Sequence, residues 1–195
     1  MRTPESARQY YNGWTDFSSE LEERGWNVPR VFVRALLPRL AGGERILDVG
    51  CGTGMLGLEL KRRGWRGELV GIDVAEARLR EARRTSAYTS CKRMNAYHLT
   101  FADASFDAVI TSAVVGIIGP RAIREMRRIV RPGGYIACAS VEYPQIQWAR
   151  KRSRSATACL EQLPRTRVLT RRAIRRPYAV RDDEERYTLY LLRCV

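Results

Sequence analysis

The sequence predicts an α/β fold: a doubly wound, mostly parallel sheet with helices on both faces and an N-terminal helical cap. Three observations predict it. From residue 45 onward, short apolar runs alternate with segments of helical periodicity. The first run, RILDV, is continuous and bounded by glycines, which suits a buried parallel strand. That run leads into ILDVGCGTGMLG (46–57), where four glycines fall within eight residues and a helix follows.

The elements follow in order. Residues 5–24 and 28–41 read as two helices separated by Gly25 and the break at Asn27 and Pro29. The second carries Val31, Phe32, Ala35, Leu36 and Leu40 on one apolar face. After the strand RILDV comes the helix MLGLELKRRG, closing at Gly64. ELVGID (68–73) is a second strand and VAEARLREARR (74–84) the helix after it. A weakly marked third strand lies near 89–94. FDAVITS (106–112) is the fourth strand, PRAIREMRRIV (120–130) a helix, and RPGG (131–134) a sharp turn into the fifth strand, YIACASV (135–141). The tail supplies a helix near 145–162 and strands near 166–172 and 186–195. We read one domain over 1–195: a cap at 1–43, a ligand-binding core at 44–142, and a basic helix and strand pair at 143–195.

Composition narrows the function classes. The longest apolar stretch, FDAVITSAVVGIIG, is interrupted by polar residues and too short to span a bilayer. The N-terminus has no apolar signal core, so a cytoplasmic location is expected. Five cysteines (Cys51, Cys91, Cys138, Cys159, Cys194) form no CxxC pair, which points to free thiols in a reducing compartment. With a single histidine and no Cys or carboxylate cluster, no metal site is expected. The net charge is +14, and residues 150–181 hold eleven Arg or Lys against one acid, Glu161. That segment is either a solvated arginine-rich face or a docking surface for an anionic substrate, an acidic carrier protein or nucleic acid.

Two ligand classes compete for the glycine loop. GTGMLG (52–57) matches G-x-G-x-x-G, and Asp73 lies where a ribose-binding acid belongs. The strand, however, already reaches Gly50, and Asp48 at its end points a carboxylate towards the pocket. A pyrophosphate is repelled by that charge, whereas an ammonium is attracted. S-adenosylmethionine carries an ammonium and no phosphate, so the residues favour it over NAD.

Beyond the loop, ILDVGCGTG resembles the first motif of class I S-adenosylmethionine-dependent methyltransferases. GIDVAEARLREAR resembles the family's second strand and helix, NAYHLTFADASFDAVIT (95–111) its "DAxxLPFxDxSFDxV" stretch, and REMRRIVRPGG (124–134) the turn before its fifth strand. YYNGWTDF (10–17) is similar to the opening of the family's small members, including the methyltransferase-like 27 (Williams–Beuren region) group. The resemblance covers about residues 8–141. It implies a Rossmann-like, seven-stranded sheet with the last strand antiparallel, and S-adenosylmethionine as cofactor.

It also implies roles for residues. Gly50, Cys51, Gly52, Thr53 and Gly54 would wrap the methionine portion, with Thr53 donating to its carboxylate and Asp48 reaching its ammonium. Asp73 would accept both ribose hydroxyls. Val74 would pack on the adenine, and Ala96 would offer it a backbone N–H. Asn95 stands where the family has Asp, and its amide oxygen can still accept the adenine amino group. Ser112 and Ala113 should line the pocket near the sulfonium. Tyr10, Tyr11 and Trp14 could form a lid. His98, Tyr11 and Glu142 are candidate catalytic groups, His98 as general base or else a surface loop residue. Glu142 and Tyr143 follow the fifth strand, on the acceptor side. Asp103, Ser105 and Asp107 read as turn and capping residues.

Three functions fit: methyl transfer to a small molecule, which could be anionic; methyl transfer to nucleic acid or protein docked on 150–181; or another reaction of S-adenosylmethionine, such as an internal cyclisation. The chain has no Asn/Asp-Pro-Pro-Tyr motif for base flipping, and reads TSAVVG after the fourth strand. A monomer or homodimer, with no membrane partner, is expected.

Overall fold

The computed structural model describes residues 26–142, 147–174 and 186–195. The helix foreseen at 5–24 lies outside them. The seven strands are β1 (Arg45–Val49), β2 (Glu68–Asp73), β3 (Ser90–Arg93), β4 (Phe106–Ser112), β5 (Val130–Glu142), β6 (Thr166–Ile174) and β7 (Arg186–Cys194). They form one sheet in the order β3-β2-β1-β4-β5-β7-β6. β1 to β5 are parallel, and β7 runs antiparallel to both neighbours. The fold is therefore the mixed, Rossmann-like sheet expected from the sequence.

Helices α1 (Val28–Leu36), α2 (Met55–Arg62) and α3 (Glu76–Arg84) pack on one face, α4 (Val115–Ile129) and α5 (Gln147–Glu161) on the other. Alternation along each central strand divides the core. In β1, Ile46 joins Phe32 and Leu36 of α1 and Leu60 of α2, while Leu47 and Val49 join Ile123 and Met126 of α4. Because both faces are covered, the central strands are largely apolar, with Asp48 and Thr111 among the few buried polar positions.

Four local features explain where the elements start and stop. The second predicted helix ends at Leu36, and Leu37–Arg39 form a 3-10 turn, because Pro38 has no N–H and constrains the residue before it. Its buried positions are Val28, Pro29, Phe32, Val33 and Leu36, and the predicted Val31, Ala35 and Leu40 pack half-buried against the same cluster. α2 closes with a Schellman motif: Gly64 (φ 83°) and Trp65 donate to the carbonyls of Lys61 and Leu60. α4 starts at Val115, five residues before the expected Pro120, and is interrupted at Gly119 (φ 69°), which lets Pro120 start a fresh helical turn. β5 begins at Val130 rather than 135: Val130 pairs with Phe106 and Tyr135 with Ala108, and RPGG is looped out between them.

The chain order places a switch point beside β1. From β1 the chain moves outward to β2 and β3, then crosses to β4 on β1's other side. On such sheets ligands bind in the crevice at the carboxyl ends of the strands flanking the switch point, here β1 and β4.

Candidate active site

The glycine loop occupies that crevice. Gly50, Gly52 and Gly54 all have positive φ (70°, 54° and 93°), which L side chains adopt only with strain. A Cβ at Gly50 would run into Val114, while one at Gly52 would meet nothing within 4 Å. The loop is thus packed on its inner side and open at Gly52. It is fastened to β2: Gly50 and Cys51 donate to the Ile72 carbonyl at 2.8 and 3.0 Å. Gly52 N–H donates to Asp73 Oδ2 at 3.0 Å, and Ala75 N–H to Oδ1 at 2.9 Å. Asp73 is therefore oriented by backbone groups on both oxygens, each with a lone pair to spare. Burial raises its pKa, against those backbone donors and the charge of Arg78.

Asp48 is the most unusual group here. It is 1% exposed, on the β1 face that α2 covers. Its Oδ2 accepts a hydrogen bond from the Tyr88 hydroxyl at 2.7 Å, and its Oδ1 is buried without a partner. Burial lifts its pKa to about 7; the Tyr88 bond opposes the rise and the charge of Asp73 adds to it. An orphaned buried carboxylate oxygen is costly unless a donor or cation meets it. A ligand ammonium is such a partner, so the donor set at this crevice fits the methionine end of S-adenosylmethionine.

Tyr88 was invisible to sequence reasoning. It lies in the loop between α3 and β3, in SAYTS, which carries no motif. Its hydroxyl accepts from Gly57 N–H at 3.3 Å while donating to Asp48. Its ring fills the space where Gly54, Gly57 and Gly71 lack side chains; a Cβ at those glycines would lie 3.0, 2.5 and 2.9 Å from ring carbons. Gly57 and Gly71 are thus glycines because of an aromatic ring, not because of a turn.

The remaining predicted residues fall as follows. Cys51 and Thr53 are buried in the loop, at 7% and 8% exposure. Val74 is half-buried beside Asp73. Asn95 is exposed, and its Oδ1 accepts from Tyr97 N–H at 3.0 Å, an Asx turn that leaves one lone pair free. Ala96 is buried next to it. Ser112 and Ala113 end β4 at the crevice: Ser112 Oγ is buried without a partner, and Ala113 holds a left-handed φ of 61° while donating to the Ala139 carbonyl. Backbone strain of that kind persists where surrounding structure enforces it. His98 is exposed, in the loop over α4, near Glu125. Tyr10, Tyr11, Trp14 and Tyr143 lie outside the described residues, as does the side chain of Glu142, which ends β5.

Asp103, Ser105 and Asp107 lie at the opposite end of β4 and serve the fold. Asp107 accepts from Arg45 N–H and pairs with Arg131, each at 2.6 Å; Ser105 caps the Ala102 carbonyl. Asp103 pairs with Arg128, a second residue that sequence reasoning missed. Arg128 also pairs with Glu125 and donates to the carbonyls of Leu99 and Phe101, bolting the 95–103 loop to α4. Among the described residues no His/Cys/Asp/Glu group could hold a metal, and no helix is long and apolar enough to cross a membrane.

Comparison with known proteins agrees with this geometry. Residues 47–138 match a methyltransferase domain family. The chain is 31% identical over 155 residues to an uncharacterised methyltransferase of Schizosaccharomyces pombe, covering 73% of this chain and 55% of that one. It is 32% identical over 117 residues to a demethylmenaquinone methyltransferase of Symbiobacterium thermophilum, covering 55% and 47%. The chain spans about half the length of the curated relatives it matches. In fold it is similar to geranyl diphosphate C-methyltransferase of Streptomyces coelicolor, with a TM-score of 0.70 at 14% identity, covering 98% of both chains. The crevice, the motif-bearing core and these relatives place the chain in the class I S-adenosylmethionine-dependent methyltransferase family.

Proposed function

We propose that the chain transfers the methyl group of S-adenosylmethionine to a small-molecule acceptor. The observation that carries the site assignment is the Asp48 carboxylate, buried at the crevice with one oxygen unpartnered. Asp48 binds the ammonium, Thr53 the carboxylate, and Asp73 the two ribose hydroxyls, with Gly50, Cys51, Gly52 and Gly54 lining the methionine portion. Val74, Asn95 and Ala96 hold the adenine. Ser112 and Ala113 flank the sulfonium.

The sulfonium supplies an activated methyl and an excellent thioether leaving group. The chain's own work is then to align an acceptor in line with that methyl and to keep water out. An acceptor with a low pKa needs no base. For one that does, His98, Tyr11 and Glu142 are the candidates.

The small-molecule reading is supported by the relatives, whose names specify demethylmenaquinone and geranyl diphosphate. The exposed Lys151, Arg154, Arg165, Arg167, Arg171 and Arg172 favour an anionic acceptor. The proposed acceptor pocket is modest, in a protein of the cytoplasm. The test is to incubate purified protein with methyl-labelled cofactor and cell extract, then separate small molecules, protein and nucleic acid. Label in a new small product supports the reading; label in protein or nucleic acid overturns it and makes the arginine face the docking surface.

A further inference from the structure

Two of the five cysteines meet beneath the cofactor loop. Cys51 belongs to the loop, between Gly50 and Gly52, and Cys91 to the edge strand β3. The register pairs Cys91 with Gly71 on β2, so the Cys91 side chain and the empty Gly71 position share one face of the sheet. Cys51 Sγ and the Tyr88 ring share that empty position: a Cβ at Gly71 would lie 2.9 Å from each. The two cysteines close a small cluster with Leu79 and Ala82 of α3. Forty residues apart in sequence, they are neighbours through a strand that lacks a side chain between them.

The two thiols are not equivalent. Cys51 is 7% exposed, whereas Cys91 is half-buried and reachable from solvent. Arg83 donates to the Cys91 carbonyl at 3.0 Å, bringing a guanidinium alongside. The other groups facing the pair are Asp48, Asp73 and Tyr88. The neighbouring Cys51 thiol, with Arg83 adding to it, holds the Cys91 thiol below its usual range; Cys51 itself is pushed up. An accessible, thiolate-prone cysteine beside a buried second thiol is the arrangement of a reversible oxidation site.

We propose that Cys91 and Cys51 are such a site: a hydroperoxide oxidises Cys91, Cys51 resolves it as a disulfide, and the cofactor loop is thereby tied to β3. In the first step the Cys91 thiolate attacks one peroxide oxygen. An S–O bond forms, the O–O bond breaks, and the departing oxygen leaves as hydroxide or alkoxide and takes up a proton. Cys91 becomes a sulfenic acid, oxidised by two electrons, and the peroxide is reduced by two. In the second step Cys51 gives up its proton and attacks the Cys91 sulfur. An S–S bond forms, the S–O bond breaks, and hydroxide leaves as water. An S–S bond is about 2.05 Å long, far shorter than a packing contact between two sulfurs, so closing it draws Cys51 and its glycine neighbours towards β3. Gly50 is packed on Val114 and Gly52 is held by Asp73, so the loop cannot follow without losing those contacts.

The effect on cofactor rests on the assignment of this loop to S-adenosylmethionine; the cross-link itself does not. The full chain is treated with hydrogen peroxide, free thiols are blocked, and the mass and non-reduced peptides are measured. The expected result is a loss of two hydrogens and a linked Cys51–Cys91 peptide, both reversed by dithiothreitol. Calorimetry on the same samples should show S-adenosylmethionine binding weakened at least about tenfold on oxidation and restored on reduction. Cys91→Ala should bind the cofactor as the untreated chain does and lose the peroxide response. Peroxide that leaves Cys91 untouched, carries it to sulfinic acid without a link, or weakens Cys91→Ala equally overturns the proposal. A cross-link that leaves binding unchanged overturns the loop-tying step. A cross-link in a chain that never binds S-adenosylmethionine leaves the oxidation site standing and removes the cofactor assignment instead.

Discussion

Replacing Asp48 with Asn should stabilise the cofactor-free protein at alkaline pH while weakening its grip on cofactor. In the fold the Asp48 carboxyl has its pKa pushed up to about 7 from 3.8, chiefly by burial. Between those values the folded chain holds a proton that the unfolded chain has released. Stability contributed by this group is therefore full below 3.8 and is lost as pH rises towards 7. Each unit of pH in that window costs about 1.4 kcal/mol, so roughly 4 kcal/mol is lost across it. The amide in Asp48→Asn cannot titrate, yet its oxygen can still accept from the Tyr88 hydroxyl. In urea unfolding, the stability of Asp48→Asn relative to the native chain should grow by roughly 2–3 kcal/mol from about pH 5 to about pH 8. In the same window the native chain should bind S-adenosylmethionine more tightly as pH rises, because the ammonium needs the charged carboxylate; Asp48→Asn should lose that dependence. A stability difference that stays flat with pH would refute the argument, since no other change between the two chains removes a buried titrating group.

The neighbouring contacts give further tests. Tyr88→Phe deletes the donor to Asp48 Oδ2; the pH midpoint of cofactor affinity should move upward, by about one unit, as seen by calorimetry across a pH series. Gly57→Ala places a methyl 2.5 Å from the Tyr88 ring and 2.9 Å from Leu69 Cδ2; chemical unfolding should show a loss of about 1–3 kcal/mol. Asp73→Asn keeps an acceptor but removes the charge, and should weaken cofactor binding roughly 10- to 100-fold; an unchanged affinity would exclude Asp73 from the ribose site. Arg128→Ala frees the Leu99 and Phe101 carbonyls; amide hydrogen exchange should rise in the 95–103 loop, with a stability loss of about 1–3 kcal/mol.

Much of this fold was legible in the sequence because its signals are local. A buried parallel strand must be apolar along its length, and a strand-to-helix turn over a ligand must be glycine-rich, so RILDVGCGTG announced both at once. β4 runs Phe106–Ser112, and α2 ends just before Gly64, as read. The errors lie where local patterns overlap. The predicted helix begins only at Pro120, but Gly119 can adopt a conformation that joins two helical stretches across that proline, so α4 starts at Val115. RPGG looked like a plain turn, but the ladder resumes on both sides of it.

Sequence by itself thus determined the order of the elements, the crevice loop and the cofactor class, since each is written in residues close together along the chain. Tertiary structure decided which side chains complete the site. Tyr88 reaches Asp48 across forty residues, Arg128 bolts down a loop about thirty residues earlier, and Cys51 finds Cys91 through the space left by Gly71. None of these partners leaves a periodic or motif signature. The Tyr88 and Cys91 contacts exist because the parallel register of β1, β2 and β3 brings distant positions together, and the Arg128 contact because α4 packs under the 95–103 loop; none can be read before the elements are paired.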